Sequence, residues 1–94
     1  MFVNHRTFKV KPGCGDTAVD LLKAEILRAN VPGTVLTPEF GPFDTVVMDI
    51  QFESLASYES SWAEWGATPE AGKFFETWET LVEPGGTNEL WVIR

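Results

Sequence analysis

The sequence predicts an α+β domain in which an antiparallel sheet is covered on one face by helices. Two observations favour this class. Residues 43–82 open with strict alternation of apolar and polar side chains and then change to helical spacing, as expected where a strand leads into a helix. Over the whole chain the predicted order is strand, helix, strand, strand, helix, strand. The 94 residues are enough for one domain, residues 1–94.

The first part of the chain predicts one strand and one helix. Phe2–Lys11 alternates as a strand does, and the Pro and Gly residues that follow end it. Thr17–Asn30 carries a single apolar stripe, which predicts an amphipathic helix. Asp16 is placed to cap its N-terminus by accepting a hydrogen bond from a free amide.

The middle of the chain predicts a hairpin. Thr34–Phe40 is rich in β-prone residues but contains Pro38, which cannot donate to a neighbouring strand and so indicates an edge. Asp44–Glu53 is the longer partner strand. The short link between the two, with Gly and Pro in it, is typical of a hairpin connection.

The last part predicts a helix in two segments and a final strand. Ser54 is a suitable N-cap for a segment that Gly66 ends, and Thr68 caps a second segment that continues to Val82. Residues 83–87 are rich in Pro and Gly and predict a loop. Asn88–Arg94 is the predicted last strand.

This order builds a ferredoxin-like domain, βαββαβ, with the first and third strands in the centre of a four-stranded antiparallel sheet and the helices on one face. The other face of the sheet is then bare in a single chain, and Val47 and Val92 are expected on it. Because 44% of the residues are hydrophobic and 13% aromatic, more apolar surface is present than so small a domain easily buries. The sequence therefore predicts a homodimer.

Charge and cysteine content exclude several classes of partner. The formal net charge is −7, with most of the acidic residues after residue 38, which argues against binding nucleic acid or an anionic membrane. Cys14 is the single cysteine and cannot form an intrachain disulfide; the sequence leaves open whether it is reactive. With neither a leader segment nor an apolar run of about 18 residues, a soluble cytoplasmic protein is expected.

Three short segments carry a resemblance to a known family. RTFKVKPG at residues 6–13, GPFDTVV at residues 41–47 and FESLASYE at residues 52–59 resemble the dimeric α+β barrel superfamily, most of all the NIPSNAP-type and antibiotic-biosynthesis-monooxygenase-like domains. The resemblance implies a homodimer whose two sheets form a barrel, with a pocket between each sheet and its helices. Such proteins include cofactor-free quinol monooxygenases, haem-degrading monooxygenases, isomerases and members without an established reaction.

The haem-degrading branch can be tested on the sequence. The resemblance places its asparagine at Asn4, or one position along at His5, and its tryptophan at Trp65. Phe75 then stands where the branch has its iron-ligating histidine, and a phenyl ring cannot ligate iron. No haem is therefore expected, and with one His and one Cys no metal site is expected either. A cofactor-free monooxygenase remains possible, with Asn4 and either Trp62 or Trp65 in the family's roles.

The first strand holds three candidate site residues. His5 is the only side chain that ordinarily titrates near neutral pH, so it could accept a proton from a phenolic or enolisable substrate; the alternative is a half-buried histidine held by a neighbour. Asn4 and Arg6 lie on the opposite face and could bind a substrate carbonyl or carboxylate. The alternative for Arg6 is a salt bridge to one of the many acidic residues.

Further candidates come from the third strand and the helices. Asp49 and Gln51 interrupt an otherwise apolar strand, and the alternation allows Asp49 to contact His5 if the first and third strands pair. Both could line a pocket or lie at a subunit seam. Trp62, Trp65 and Trp78 are substrate-binding candidates, since they could stack on a flat aromatic ligand; the alternative is that they form the core.

Two functions follow from these candidates. The first is a homodimeric barrel protein that binds a small aromatic or lipophilic molecule and oxidises or isomerises it without a cofactor. The second is a non-catalytic, NIPSNAP-like interaction module in which the tryptophans fill the space themselves. A cavity that touches Asn4, Arg6 or His5 favours the first function, and a closed core favours the second.

Overall fold

A computed structural model describes residues 1–94. Its elements are β1 (Phe2–Val10), α1 (Gly15–Ala29), β2 (Gly33–Leu36), β3 (Thr45–Phe52), α2 (Leu55–Gly66), α3 (Pro69–Trp78) and β4 (Val82–Val92). All strand pairs are antiparallel, and the strand order is β2-β3-β1-β4. The predicted ferredoxin-like α+β fold is confirmed, including the central position of the first and third strands.

The helices cover one face of this sheet, and the strand register decides which side chains they cover. Asn4 pairs with Ile50 and Arg6 with Met48, so alternate residues of β1 and β3 point towards the helices. The buried core lies in this layer and includes Val10, Leu22, Val46, Met48, Ile50, Phe52, Trp78 and Leu81. None of the helices has the length and apolar character needed to span a bilayer.

Local capping signals determine where the helices begin. The Ser54 hydroxyl accepts from the Ser57 amide and the Ser57 hydroxyl accepts from the Ser54 amide, which closes a reciprocal cap at the start of α2. Thr68 caps α3 in a similar way, as predicted. The prediction that Asp16 caps α1 is wrong, because α1 begins at Gly15 and Cys14 is at the N-cap position. Asp16 lies in the first turn, where its negative charge interacts favourably with the helix dipole.

The boundaries of the edge strands differ from the prediction. Helix α3 ends at Trp78, and the predicted loop at residues 83–87 belongs to β4, which pairs with β1 at Val82 and Glu83 and again from Thr87 onward. Pairing with β1 on both sides of residues 84–86 explains this, because it satisfies the backbone of the flanking residues and keeps the segment in the strand. At the other edge of the sheet, β2 ends at Leu36. It therefore stops before Pro38, which has no backbone N–H group to donate to the neighbouring strand.

The second face of the sheet, which we call the open face, carries no helix. Val47 lies on it, as predicted. Val92 does not, because it pairs with Phe2 and therefore points to the helix side. Trp91 takes its place on the open face, opposite Val3, and is 60% exposed. A large apolar side chain is thus left bare in the single chain.

Candidate ligand-binding cavity

A cavity of about 120 Å³ lies between the sheet and the helices. Of its 16 lining residues, 13 are hydrophobic. The polar ones are Arg6, Glu25 and Ser61. An apolar cavity of roughly 150 Å³ holds benzene, so this space, somewhat smaller and open to one side, is of the order of one aromatic ring and no larger.

Aromatic side chains from α2 and α3 form one wall of the cavity. Trp65 meets Trp62 edge to face, with 5.7 Å between ring centroids, and meets Phe74 and Phe75 at 5.6 and 5.4 Å. Trp78 stacks on Phe74 at 5.3 Å. These are the favoured geometries of aromatic pairs, which hold the rings in fixed positions. All three candidate tryptophans line the cavity, and Trp78, only 6% exposed, is a core residue as well.

Arg6 brings the only basic side chain into the lining. Its guanidinium carbon lies 4.0 Å from the centre of the Trp62 ring, a cation–π contact, and its Nε donates to Asn4 Oδ1 at 3.0 Å. The salt bridge considered for Arg6 is absent, since no carboxylate oxygen lies within 4.0 Å of its nitrogens. The Arg6 charge is therefore balanced by no acidic side chain.

Asn4 holds Arg6 in place. It is 1% exposed, and its Nδ2 donates to Asn88 Oδ1 at 2.7 Å and to the Glu89 carbonyl at 2.9 Å. With its amide oxygen taken by Arg6, each polar atom of this buried side chain has a partner. Asn4 itself does not line the cavity. It lies behind Arg6 and holds the Arg6 side chain in position at the cavity wall.

One donor in the lining is left without a partner. The Nε1–H group of Trp62 is buried and forms no hydrogen bond. Buried polar groups are nearly always paired, and an exception at a cavity wall calls for an explanation. A molecule in the cavity with an acceptor atom would provide one.

Sequence reasoning missed Glu25, which lies on α1 and lines the cavity. Its carboxylate accepts from Arg28 Nε and Nη2 at 2.7 and 2.8 Å and from Trp65 Nε1 at 2.7 Å. The Arg28 guanidinium, with help from Trp65, lowers the pKa of the Glu25 carboxyl below its usual 4.5, and burial acts in the opposite direction. The i, i+3 spacing of Glu25 and Arg28 was the available signal.

Replacing Glu25 by glutamine is expected to lower the free energy of unfolding at pH 7, because the charge-assisted hydrogen bonds that the Glu25 carboxylate accepts from Arg28 and Trp65 are weakened. The pKa of Glu25 is lower in the folded chain than in the unfolded one. Its stabilising effect is therefore complete above the unfolded value and is lost as the pH falls through the folded value. Urea unfolding from pH 7 down to pH values well below 4.5 should show the wild type and Glu25→Gln converging in acid. A constant gap would contradict this.

His5 and Asp49 lie on the open face, on the other side of the sheet from the cavity. The contact that the alternation allows is present: His5 Nδ1 lies 2.6 Å from Asp49 Oδ1, and the two residues are directly opposite in the β1–β3 register. A carboxylate can only accept, so Nδ1 carries the proton, and in a neutral imidazole Nε2 is then the acceptor. Both side chains are about one-third exposed, at 33% and 31%. Gln51 is exposed on the same face.

The side chains form no cluster of His, Cys, Asp and Glu that could hold a metal ion. Cys14 is a free, half-buried thiol packed beside the core. Phe75, at the position where the haem-degrading branch has its ligand, lines the cavity with its ring. The donors for iron ligation are therefore lacking at this position.

No protein-family model matches the sequence, and no curated protein matches it either. Solved structures do match. An uncharacterised NIPSNAP domain protein from Burkholderia xenovorans superposes with a TM-score of 0.84 at 16% identity, over 100% of this chain and 95% of that one. A NIPSNAP family protein of unknown function from Agrobacterium tumefaciens gives 0.78 at 23% identity, over 96% and 85%. The chain has the NIPSNAP fold.

The same fold extends to a second group of structures. An antibiotic biosynthesis monooxygenase superposes with a TM-score of 0.74 at 13% identity, over 100% of this chain and 99% of that one. The ferredoxin-like fold of the single chain, which the sequence resemblance implied, is therefore confirmed. At these identities the likeness establishes the architecture and says nothing of the reaction.

Within this NIPSNAP fold the candidate residues divide into two groups. Arg6 and the three tryptophans Trp62, Trp65 and Trp78 meet at the cavity, with Asn4 behind Arg6. The second group, His5, Asp49 and Gln51, is on the open face. The sheet itself separates the groups, so no single small molecule in the cavity reaches both.

Proposed function

We propose that this protein binds a small aromatic or lipophilic molecule in the cavity beneath its helices. The observation that supports this function is the cavity itself, which is walled by aromatic rings and touches Arg6. An apolar pocket with a few polar groups at fixed positions is the usual form of a small-molecule site. The competing function, a non-catalytic interaction module, requires a core that the tryptophans close completely.

Pocket filling tests this proposal. Saturation-transfer NMR with neutral single-ring probes, p-cresol and benzamide, is expected to give signals with the wild type. Ala29 lines the cavity from α1, and Ala29→Leu should abolish the signals by occupying the space. Ala24→Leu on an exposed face of the same helix is the matched control and should leave them unchanged. Signals that survive in Ala29→Leu would place the binding elsewhere, and no signal with any probe would favour the interaction module.

We also propose that the chain forms a homodimer through its open face. Trp91 and Leu36, 60% and 43% exposed, lie on this face with Val47, and a second copy of the same surface would cover them. In such a dimer the two sheets would together form a barrel, as the resemblance implies.

Light scattering coupled to size exclusion tests the dimer. The wild type should have twice the mass of one 10.5 kDa chain. Trp91→Glu should shift the equilibrium towards the monomer, because the carboxylate would have to be desolvated in the dimer interface. Leu27→Glu, at an 83% exposed position of α1, is the control and should remain dimeric. A wild type that is monomeric at high concentration would exclude the dimer.

A second candidate function is cofactor-independent oxygenation or isomerisation with His5 as the proton acceptor. The 2.6 Å contact with Asp49 favours it, because a carboxylate on Nδ1 fixes the imidazole tautomer and leaves Nε2 free to take a proton. Gln51, exposed on the same face, would be its polar neighbour, whereas Asn4, a candidate for this role from the sequence, points to the other side of the sheet. If a turnover is found with any quinol or enolisable ligand, His5→Ala should reduce it by a factor of about 100 or more. Unchanged turnover would remove His5 from the mechanism.

A further inference from the structure

We infer that the molecule bound in the cavity is a single-ring carboxylic acid, whose carboxylate is held by the Arg6 guanidinium and the Trp62 indole N–H. The inference rests on the proposed function, since it names the chemical class of molecule that occupies the same cavity. Three features of the lining carry it: an uncompensated cation, an unpaired donor and a neutralised acid.

The cation is Arg6. The chain has 14 acidic residues, yet none of them lies within 4.0 Å of this guanidinium. Asn4 takes the Nε–H group, and the Nη–H donors have no acceptor in the protein. The planar fork of a guanidinium matches the two oxygens of a carboxylate. The Nη–H donors of Arg6 are therefore open to an anion that comes from outside the chain.

The unpaired donor is Trp62 Nε1–H, which is buried and makes no hydrogen bond. The same indole ring lies against the Arg6 guanidinium at 4.0 Å. An anion seated on Arg6 is therefore close to the Trp62 ring. A carboxylate that extends from the guanidinium to the edge of this ring would accept from Nε1–H. A single carboxylate would then satisfy two groups that the protein leaves open.

The neutralised acid is Glu25, the only acidic residue of the lining. Its two oxygens are taken by Arg28 and by Trp65 Nε1, so it neither pairs with Arg6 nor presents a free negative charge to a ligand. The lining is therefore locally positive although the chain as a whole carries −7. This arrangement favours an anionic head group over a cationic or neutral one.

The remaining lining restricts the body of the ligand. The space of about 120 Å³ is bounded by 13 hydrophobic residues and suits one ring. Phenylacetate and benzoate are thus suitable probes, and phenylacetamide and benzamide are their neutral counterparts of nearly equal shape. Comparing the affinities of the acid and the amide within each pair isolates the contribution of the ligand's negative charge to binding.

Calorimetric titration of wild type and Arg6→Gln with phenylacetate and phenylacetamide tests the inference. The wild type should bind the acid about 10-fold tighter than the amide or better, as expected for a charge-assisted hydrogen bond pair. Arg6→Gln should still bind the amide and lose the preference. Lys23→Gln, which makes the same change of charge on an exposed face of α1, should keep the preference.

A second measurement stays valid if Arg6→Gln does not fold. In a ¹H–¹⁵N spectrum of the wild type, the Trp62 Nε1–H resonance, assigned by its loss in Trp62→Phe, should move downfield with phenylacetate and much less with phenylacetamide. Equal affinity for acid and amide would overturn the inference and leave the proposed cavity function intact. A preference that persists in Arg6→Gln would also overturn it. If neither probe binds, both the inference and the proposed function fail.

Discussion

Trp78→Ala is expected to lower the free energy of unfolding by about 3–5 kcal/mol, the usual loss when a buried aromatic side chain is truncated in a core. Trp78 is 6% exposed, stacks on Phe74 and meets Phe8 edge to face at 4.9 Å. Its removal would leave a void that adds to the existing cavity, and the rigid rings around it cannot close the space. Small domains are stable by only about 5–15 kcal/mol, so much of the total would be lost.

Urea unfolding followed by circular dichroism measures this loss. Phe40→Ala is the control, since Phe40 is 96% exposed, and it should change the free energy of unfolding by no more than about 0.5 kcal/mol. Trp78→Phe should fall between the two. A loss below about 1 kcal/mol in Trp78→Ala would contradict the burial of the Trp78 side chain between α3 and the sheet.

Local signals predicted most of the fold. The change of hydrophobic period after Glu53 marked the passage from β3 to α2, and Ser54 and Thr68 marked the helix starts, because capping depends on residues three positions apart. Strand parity allowed the His5–Asp49 contact, once the first and third strands were taken as neighbours, but the register that places the two residues opposite each other is known only from the structure.

Features that depend on distant partners could not be predicted. Asn88 meets Asn4 across 84 positions of the sequence, and Glu25 meets Trp65 across 40. Nothing near either residue indicates its partner. The cavity is also a property of packing: the tryptophans could equally have filled it, and only the positions of the rings show that they leave space.

The prediction differs most from the structure in β4, where the Pro84-Gly85-Gly86 segment has the composition of a loop. In the structure this segment lies within the strand, where the β1–β4 register shifts between Thr7 and Lys9. The extra residues form a bulge opposite Phe8. Glycine is needed there because backbones come close at a bulge, so the same residues that favour a loop also allow the strand to continue.

Gly86→Ala tests this explanation and is expected to lower the free energy of unfolding by about 1–3 kcal/mol, because a Cβ at this position would collide with the backbone carbonyl of Thr7. A backbone atom cannot rotate away as a side chain can, so the β1–β4 pairing would have to open. Gly72→Ala in α3 is the matched control: its Cβ would meet nothing within 4 Å, and it should stabilise the protein by about 0.5–1 kcal/mol.

The opposite signs expected for these two identical substitutions separate the effect of close packing from the general effect of removing a glycine. Urea unfolding of both variants measures the signs, and amide hydrogen exchange of β1 locates the change. In Gly86→Ala the amides of β1 that pair with β4 should exchange faster, while those that pair with β3 stay protected. If Gly86→Ala stabilised the protein as Gly72→Ala does, residues 84–86 would not lie against β1 and the predicted loop would be correct after all.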